Sequence, residues 1–139
     1  MIQKISVDIT TTFAKGASTK GAVFLGLGGR EFRLDIDDHD DFDEGDETTY
    51  VFGEETNVMF PERNDPRVGV PLSLKDATDF PVYVRLEPQA KQDDWELANV
   101  RVRVSAESGI VEFAALQGAN DRVWLGRESG TILHLRVSN

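Results

Sequence analysis

Nine carboxylates fall within thirteen residues, at positions 35, 37, 38, 40, 41, 43, 44, 46 and 47, with no Lys or Arg among them. That stretch, Asp35 to Glu47, holds −9 of a formal net charge of −10, so the rest of the chain is close to neutral. Two carboxylates about 4 Å apart repel by roughly 1 kcal/mol in water and ~4 kcal/mol at an effective dielectric of 20. A rigid scaffold that holds several together therefore demands a counter-charge. Calcium is the natural one, because it takes six to eight oxygen ligands in irregular geometry. The spacing excludes an EF-hand: with Gly45 as the sixth-position glycine, Phe42 occupies the third position, where a ligand is needed. A solvated acidic face with no ligand is the plain alternative. Nucleic-acid phosphate is disfavoured as a partner.

The elements that must carry this loop are strands. Ile5, Val7 and Ile9 alternate with polar residues, as do Val23, Leu25 and Leu27, then Val82, Val84 and Leu86, then Val100, Val102 and Val104. Val111 with Phe113, Val123 with Leu125, and Leu133 with Leu135 and Val137 extend the series, and Gly- and Asn-rich turns separate the runs. About eight short strands without a ten-residue helix predict an all-β sandwich or barrel. Pro61 to Pro81, with four prolines, reads as a long loop on the surface or at a sheet edge. The 139 residues suit a single domain over 1–139. No cysteine is present, which excludes disulfides and thiolate sites. No apolar run is long enough to cross a membrane, and the N-terminus has no signal-peptide pattern; the expectation is a soluble chain, cytoplasmic by default, with leaderless export left open.

Three ordered segments resemble the PLAT module (polycystin, lipoxygenase, alpha-toxin), also called the lipoxygenase homology domain. Gly16-Ala17-Ser18-Thr19 running into Val23–Gly28 is similar to the family's Gly-Ala-Gly-Thr loop and strand. Leu34-Asp35 followed by Asp40-Asp41-Phe42-Asp43-Glu44-Gly45 resembles its Leu-Asp…Asn-Asp-Phe-Glu-Arg-Gly segment. Val84-Arg85-Leu86 and Asp93-Asp94-Trp95-Glu96-Leu97 look like its Asp-Trp-x-Leu strand, and Trp124-Leu125-Gly126 and Leu133-His134-Leu135 like its closing strands. The resemblance covers the chain except for an apparent loop insertion at 57–80. It implies an eight-stranded antiparallel β-sandwich of two four-stranded sheets, no catalytic activity, and a calcium-dependent docking function on membrane lipid or a partner protein. Calcium ligands are implied at Asp40, Asp41 and Asp43, with Gly16 and Thr19 from the opposing loop.

Lipoxygenase modules place acidic or amide residues just after the loop threonine, whereas this chain has Lys20, Gly21 and Ala22. Backbone carbonyls of residues 16–20 remain as donors; alternatively Lys20 itself supplies the positive charge. Phe13, Lys15, Lys20 and Lys91 are the expected membrane or partner contacts. A metal-independent protein-interaction or enzyme-accessory domain is the second reading. Trp95 and Trp124 are read as core, His134 as a solvated strand residue, and His39 is set aside as a calcium ligand. No nucleophile-elbow or zinc-ligand spacing occurs.

Overall fold

A computed structural model describes residues 1–138. Ten strands and one short helix follow in the order β1 (Ile2–Thr11), β2 (Ala22–Leu27), β3 (Arg30–Arg33), β4 (Glu47–Gly53), α1 (Leu74–Asp79), β5 (Tyr83–Glu87), β6 (Trp95–Ala106), β7 (Gly109–Ala115), β8 (Val123–Leu125), β9 (Ile132–His134) and β10 (Arg136–Val137). All pairings are antiparallel. One sheet runs β10-β7-β6-β1-β4, with β8 also on β6; the other runs β3-β2-β5-β9.

The architecture is the antiparallel β-sandwich expected, but with six and four strands rather than four and four. Two features make the difference. The twelve-residue β6 is long enough to pair β8 through Trp95–Leu97 and β7 through Val100–Ala106. The last apolar run also breaks at Leu135, so that β9 adds to one sheet and β10 to the other. Leu135 is buried between them and its N–H reaches Val82 O at 2.9 Å.

Period-two alternation delivers the core. Ile5, Val7 and Ile9 meet Val100, Val102 and Val104 from one sheet, and Val23, Leu25, Leu27, Val84 and Leu86 face them from the other. Trp95 is fully buried and its indole N–H donates to Thr11 Oγ1 at 2.9 Å, so its one polar atom is satisfied. Trp124 departs from the expectation of a core residue. It pairs with Glu96, one position from Trp95 and Leu125, so the alternation that sends those two inward turns Trp124 to the outer face, where it is half-buried. His134 is solvent-exposed on its strand.

The Pro61–Pro81 region is more ordered than a plain loop. Within it Ser73 caps α1 in a capping box, its hydroxyl accepting from Asp76 N while Asp76 accepts from Ser73 N. Asp65 holds Arg67 through two 2.9 Å bonds, and Ala77 of α1 is buried in the core. No described helix is long and apolar enough to cross a membrane.

Candidate functional site at the loop end

Three loops meet at one end of the sandwich: 12–21 after β1, 34–46 after β3, and 88–94 before β6. Backbone bonds lace them together. Gly45 N donates to Thr11 O and Thr12 O, Thr19 N to Phe42 O at 3.3 Å, and Glu96 N to Ala17 O at 3.1 Å. Side chains complete the lacing. Gly16 N donates to Glu44 Oε2 at 3.0 Å, Thr19 Oγ1 to Asp93 Oδ1 at 2.7 Å, and Gln89 N to Asp93 Oδ2 at 2.8 Å.

Phe42 organises the acidic loop. It is the one apolar residue between Asp37 and Glu47, and its ring is buried against Tyr50 (5.6 Å between centroids) and edge-on to Trp95 (5.0 Å). Its backbone sits at φ 63°, a conformation a bulky residue adopts only when its surroundings compel it. Burying Phe42 forces its neighbours Asp41 and Asp43 to project from a fixed stem. Beside it Gly45 at φ 79° lies under the Phe13 ring, where an added Cβ would come within 2.4 Å.

A cleft of about 190 Å³ opens between the first loop and the acidic loop, lined by Thr19 to Val23 and by Arg33 to Asp35 and His39 to Phe42. Asp35, Asp40 and Asp41 therefore share one cavity. Asp41 is the most constrained of the three: Tyr50 donates its phenol to Oδ1 at 2.7 Å and Ile36 N reaches Oδ2 at 3.3 Å. Burial pushes the Asp41 carboxyl above the ordinary aspartate range and Asp35 adds to the rise, against the pull of those two donors. Burial, reinforced by Asp41, likewise pushes Tyr50 far above the usual phenol range. Among the described residues Asp35 is offset by Arg33 alone, 3.8 Å away.

The candidate ligands are distributed as follows. Asp40, Asp41 and Thr19 line the cleft; Asp43 and Gly16 do not. Asp43 is turned toward Lys20, whose Nζ lies 3.4 Å from Oδ1, with both side chains well exposed. Thr19 has its hydroxyl committed, donating to Asp93 and accepting from Gly21 N. Among the described residues no three acidic or His side chains converge as a metal-binding group. The donors themselves suit a hard divalent cation: carboxylate oxygens in a polar cleft, with Asp41 raised chiefly by burial and further by Asp35. Phe13 is 86% exposed, and Lys15, Lys20 and Lys91 are all exposed around the same end.

Sequence reasoning passed over Asp35 as a site residue, although it begins the acidic run, and over Asp93 as the clasp between loops. Thr19 and Asp93 are 74 positions apart, and only folding joins them. His39, set aside as a ligand, bonds Thr48 Oγ1 at 2.9 Å and lies 3.2 Å from Asp46.

The fold has counterparts among solved structures. Coral 8R-lipoxygenase, described as calcium-activated via a C2-like domain, superposes with a TM-score of 0.60 at 15% identity over 98% of this chain. The alpha-toxins of Clostridium perfringens (avian strain) and Clostridium absonum superpose with TM-scores of 0.59 and 0.56, each at 20% identity over 97% of the chain. The chain spans only 17% of the lipoxygenase and 31% of either toxin. No family model and no curated protein sequence matches it. The fold is a β-sandwich of the PLAT, or C2-like, class.

Proposed function

We propose that the chain is a non-enzymatic docking module that takes calcium in the loop-end cleft and presents that end to a lipid surface. The observation that carries this reading is the cleft itself, where Asp35, Asp40 and Asp41 stand together on a stem pinned by Phe42. Calcium held there by Asp40 and Asp41, with Asp35 as a further donor and Asp43 only if it leaves Lys20, would neutralise the loop and let anionic head groups approach. Phe13 is the apolar side chain placed to enter a membrane, and Lys15, Lys20 and Lys91 are the cations placed to meet head groups. The lipoxygenase neighbour, described as activated by calcium through its C2-like domain, supports the same reading.

Calcium titration calorimetry on the wild type and Asp41→Ala tests the metal. Binding by the first and its loss in the second is the expected pair; no heat from the wild type at millimolar calcium would sink it. Sedimentation with anionic vesicles, with calcium and with chelator, tests the surface. Calcium-dependent pelleting that falls in Phe13→Ser supports lipid, and none at all points to a protein partner.

One contact favours a second reading. Lys20 already reaches Asp43, which suits a metal-independent interaction or enzyme-accessory module whose ammonium group stands in for the cation. Under that reading Lys20→Ala creates or strengthens calcium binding, and calorimetry on this variant separates the two.

A further inference from the structure

The edge strands of a β-sandwich each carry a row of N–H and C=O groups that another strand can pair with. In this chain the edges are β10, β4 and the short β8 beside β6 in one sheet, and β3 and β9 in the other. On one side the edge strands themselves are short, and β10 pairs only Phe113 and Ala114 of β7. Strands β9 and β10 have three and two residues, and the chain runs from one to the other through Leu135, so short edges meet a continuous backbone. The other side is different, because β4 has seven residues and β3 four.

That side is covered by the segment that follows β4. Asn57 presents its carboxamide to the outer edge of β4 as a neighbouring strand would present a peptide group. Its Oδ1 accepts from Val51 N at 2.8 Å and its Nδ2 donates to Thr49 O at 2.9 Å. Its backbone N–H donates to Val51 O at 3.2 Å, and the Thr56 hydroxyl reaches the same carbonyl at 2.9 Å. Further along, Asn64 repeats the device on the other sheet. Its Oδ1 accepts from Arg33 N at the end of β3 at 2.8 Å, while its Nδ2 turns back to Met59 O and Phe60 O. Met59 N donates to Asp35 O at 2.9 Å, and Arg30 holds the carbonyls of Asp65 and Val68. One short segment thus occupies outward backbone groups of both exposed edges.

The edge beneath Asn57 has the composition of a strand that pairs with itself. Thr48-Thr49-Tyr50-Val51-Phe52 is uncharged, free of proline, and made of β-branched and aromatic residues. Two copies laid antiparallel about a two-fold axis would extend one sheet through the other. We infer that residues 57–64 are an edge seal, in which Asn57 occupies Val51 N and Thr49 O of β4 and Asn64 occupies Arg33 N of β3, thereby preventing strand pairing with a second copy of this chain. The bonds at Asn57 and Asn64 do not depend on calcium in the cleft, so the inference stands independently of the docking function.

Two substitutions test it, with size-exclusion chromatography and light scattering over a concentration series. Asn57→Ala uncovers Val51 N and Thr49 O; the expected result is a folded protein whose half-association concentration falls at least tenfold below that of the wild type. Asn57→Asp loses the bond to Thr49 O but leaves a carboxylate on the edge, a guard that strand edges commonly use. Expected here is a protein as monomeric as the wild type despite a similar loss in melting temperature. A folded Asn57→Ala that stays as monomeric as the wild type overturns the inference. So does equal association by both variants, since association would then follow lost stability rather than an opened edge. Failure of both variants to fold also overturns it, because the segment would then be a determinant of the fold and not a seal.

Discussion

Asp41 is where the charge of the loop meets the interior of the protein. Burial raises its pKa above the ordinary aspartate range, so the folded state holds the proton to higher pH than the unfolded state does. The ionised carboxylate therefore costs stability. That cost is absent below the unfolded pKa and fully present once pH has risen through the folded one. In chelator, Asp41→Asn should melt close to the wild type near pH 3.5 and above it at pH 7. Calcium should reverse the order at pH 7, because the wild type alone gains the ligand; thermal melts across pH with and without the ion check both signs. The acidic run made this residue legible, since nine like charges in thirteen positions need an explanation. Its role beside Asp35 was not legible, because Asp35 lies six positions earlier and reaches the cleft only after the loop has curled around Phe42.

At the scale of elements, alternation revealed strands where both faces are unambiguous. Ile5-Ser6-Val7-Asp8-Ile9 and Val100-Arg101-Val102-Arg103-Val104 announce themselves. Strands β3 and β4 do not. In Arg30–Arg33 only Phe32 enters the core, and in β4 the inward Tyr50 and Phe52 follow directly on the acidic run, which dominates any local reading. The helix α1 was hidden by its six-residue length and flanking prolines, although Ser73 and Asp76 carry a capping signature. Ser73→Ala should cost about 1 kcal/mol through the lost cap, read from urea melts with an unchanged m-value. Gly53 ends β4 at φ 87°, and an added Cβ would stand 2.3 Å from Gln3 O. Gly69, at φ 82°, has nothing within 4 Å. Gly53→Ala should therefore cost more than the roughly 1–2 kcal/mol of left-handed strain that Gly69→Ala incurs; equal losses in the two melts would mean that the close approach to Gln3 carries no weight.

For the whole molecule the uneven charge matters more than its total. With −9 on one loop, raising monovalent salt in chelator should raise the melting temperature, since the Debye length shrinks from about 10 Å at 0.1 M to about 3 Å at 1 M. Calcium at a hundredfold excess over its Kd should stabilise by about 2.7 kcal/mol, and a melting curve identical in millimolar calcium and in chelator would argue for the Lys20-neutralised loop. The sandwich was legible because a core built from alternating strands writes its pattern directly into sequence. The six-and-four division of strands was not, because it depends on the length of β6 and on the interruption of the last strand at Leu135.

The packing of Phe42 between Tyr50 and Trp95 gives the protein an optical consequence. The chain has two tryptophans, and Trp95 is fully buried with its indole inclined at 62° to the Phe42 ring that anchors the acidic loop. Trp124 sits half-exposed on the outer face. Quenching by acrylamide should silence Trp124 first and leave Trp95 as a blue-shifted emitter in contact with the loop. Any ligand that pulls Asp41 or Asp43 must tug on Phe42 between them. The loop thus carries its own fluorescent reporter, and occupancy of the cleft can be followed without a label.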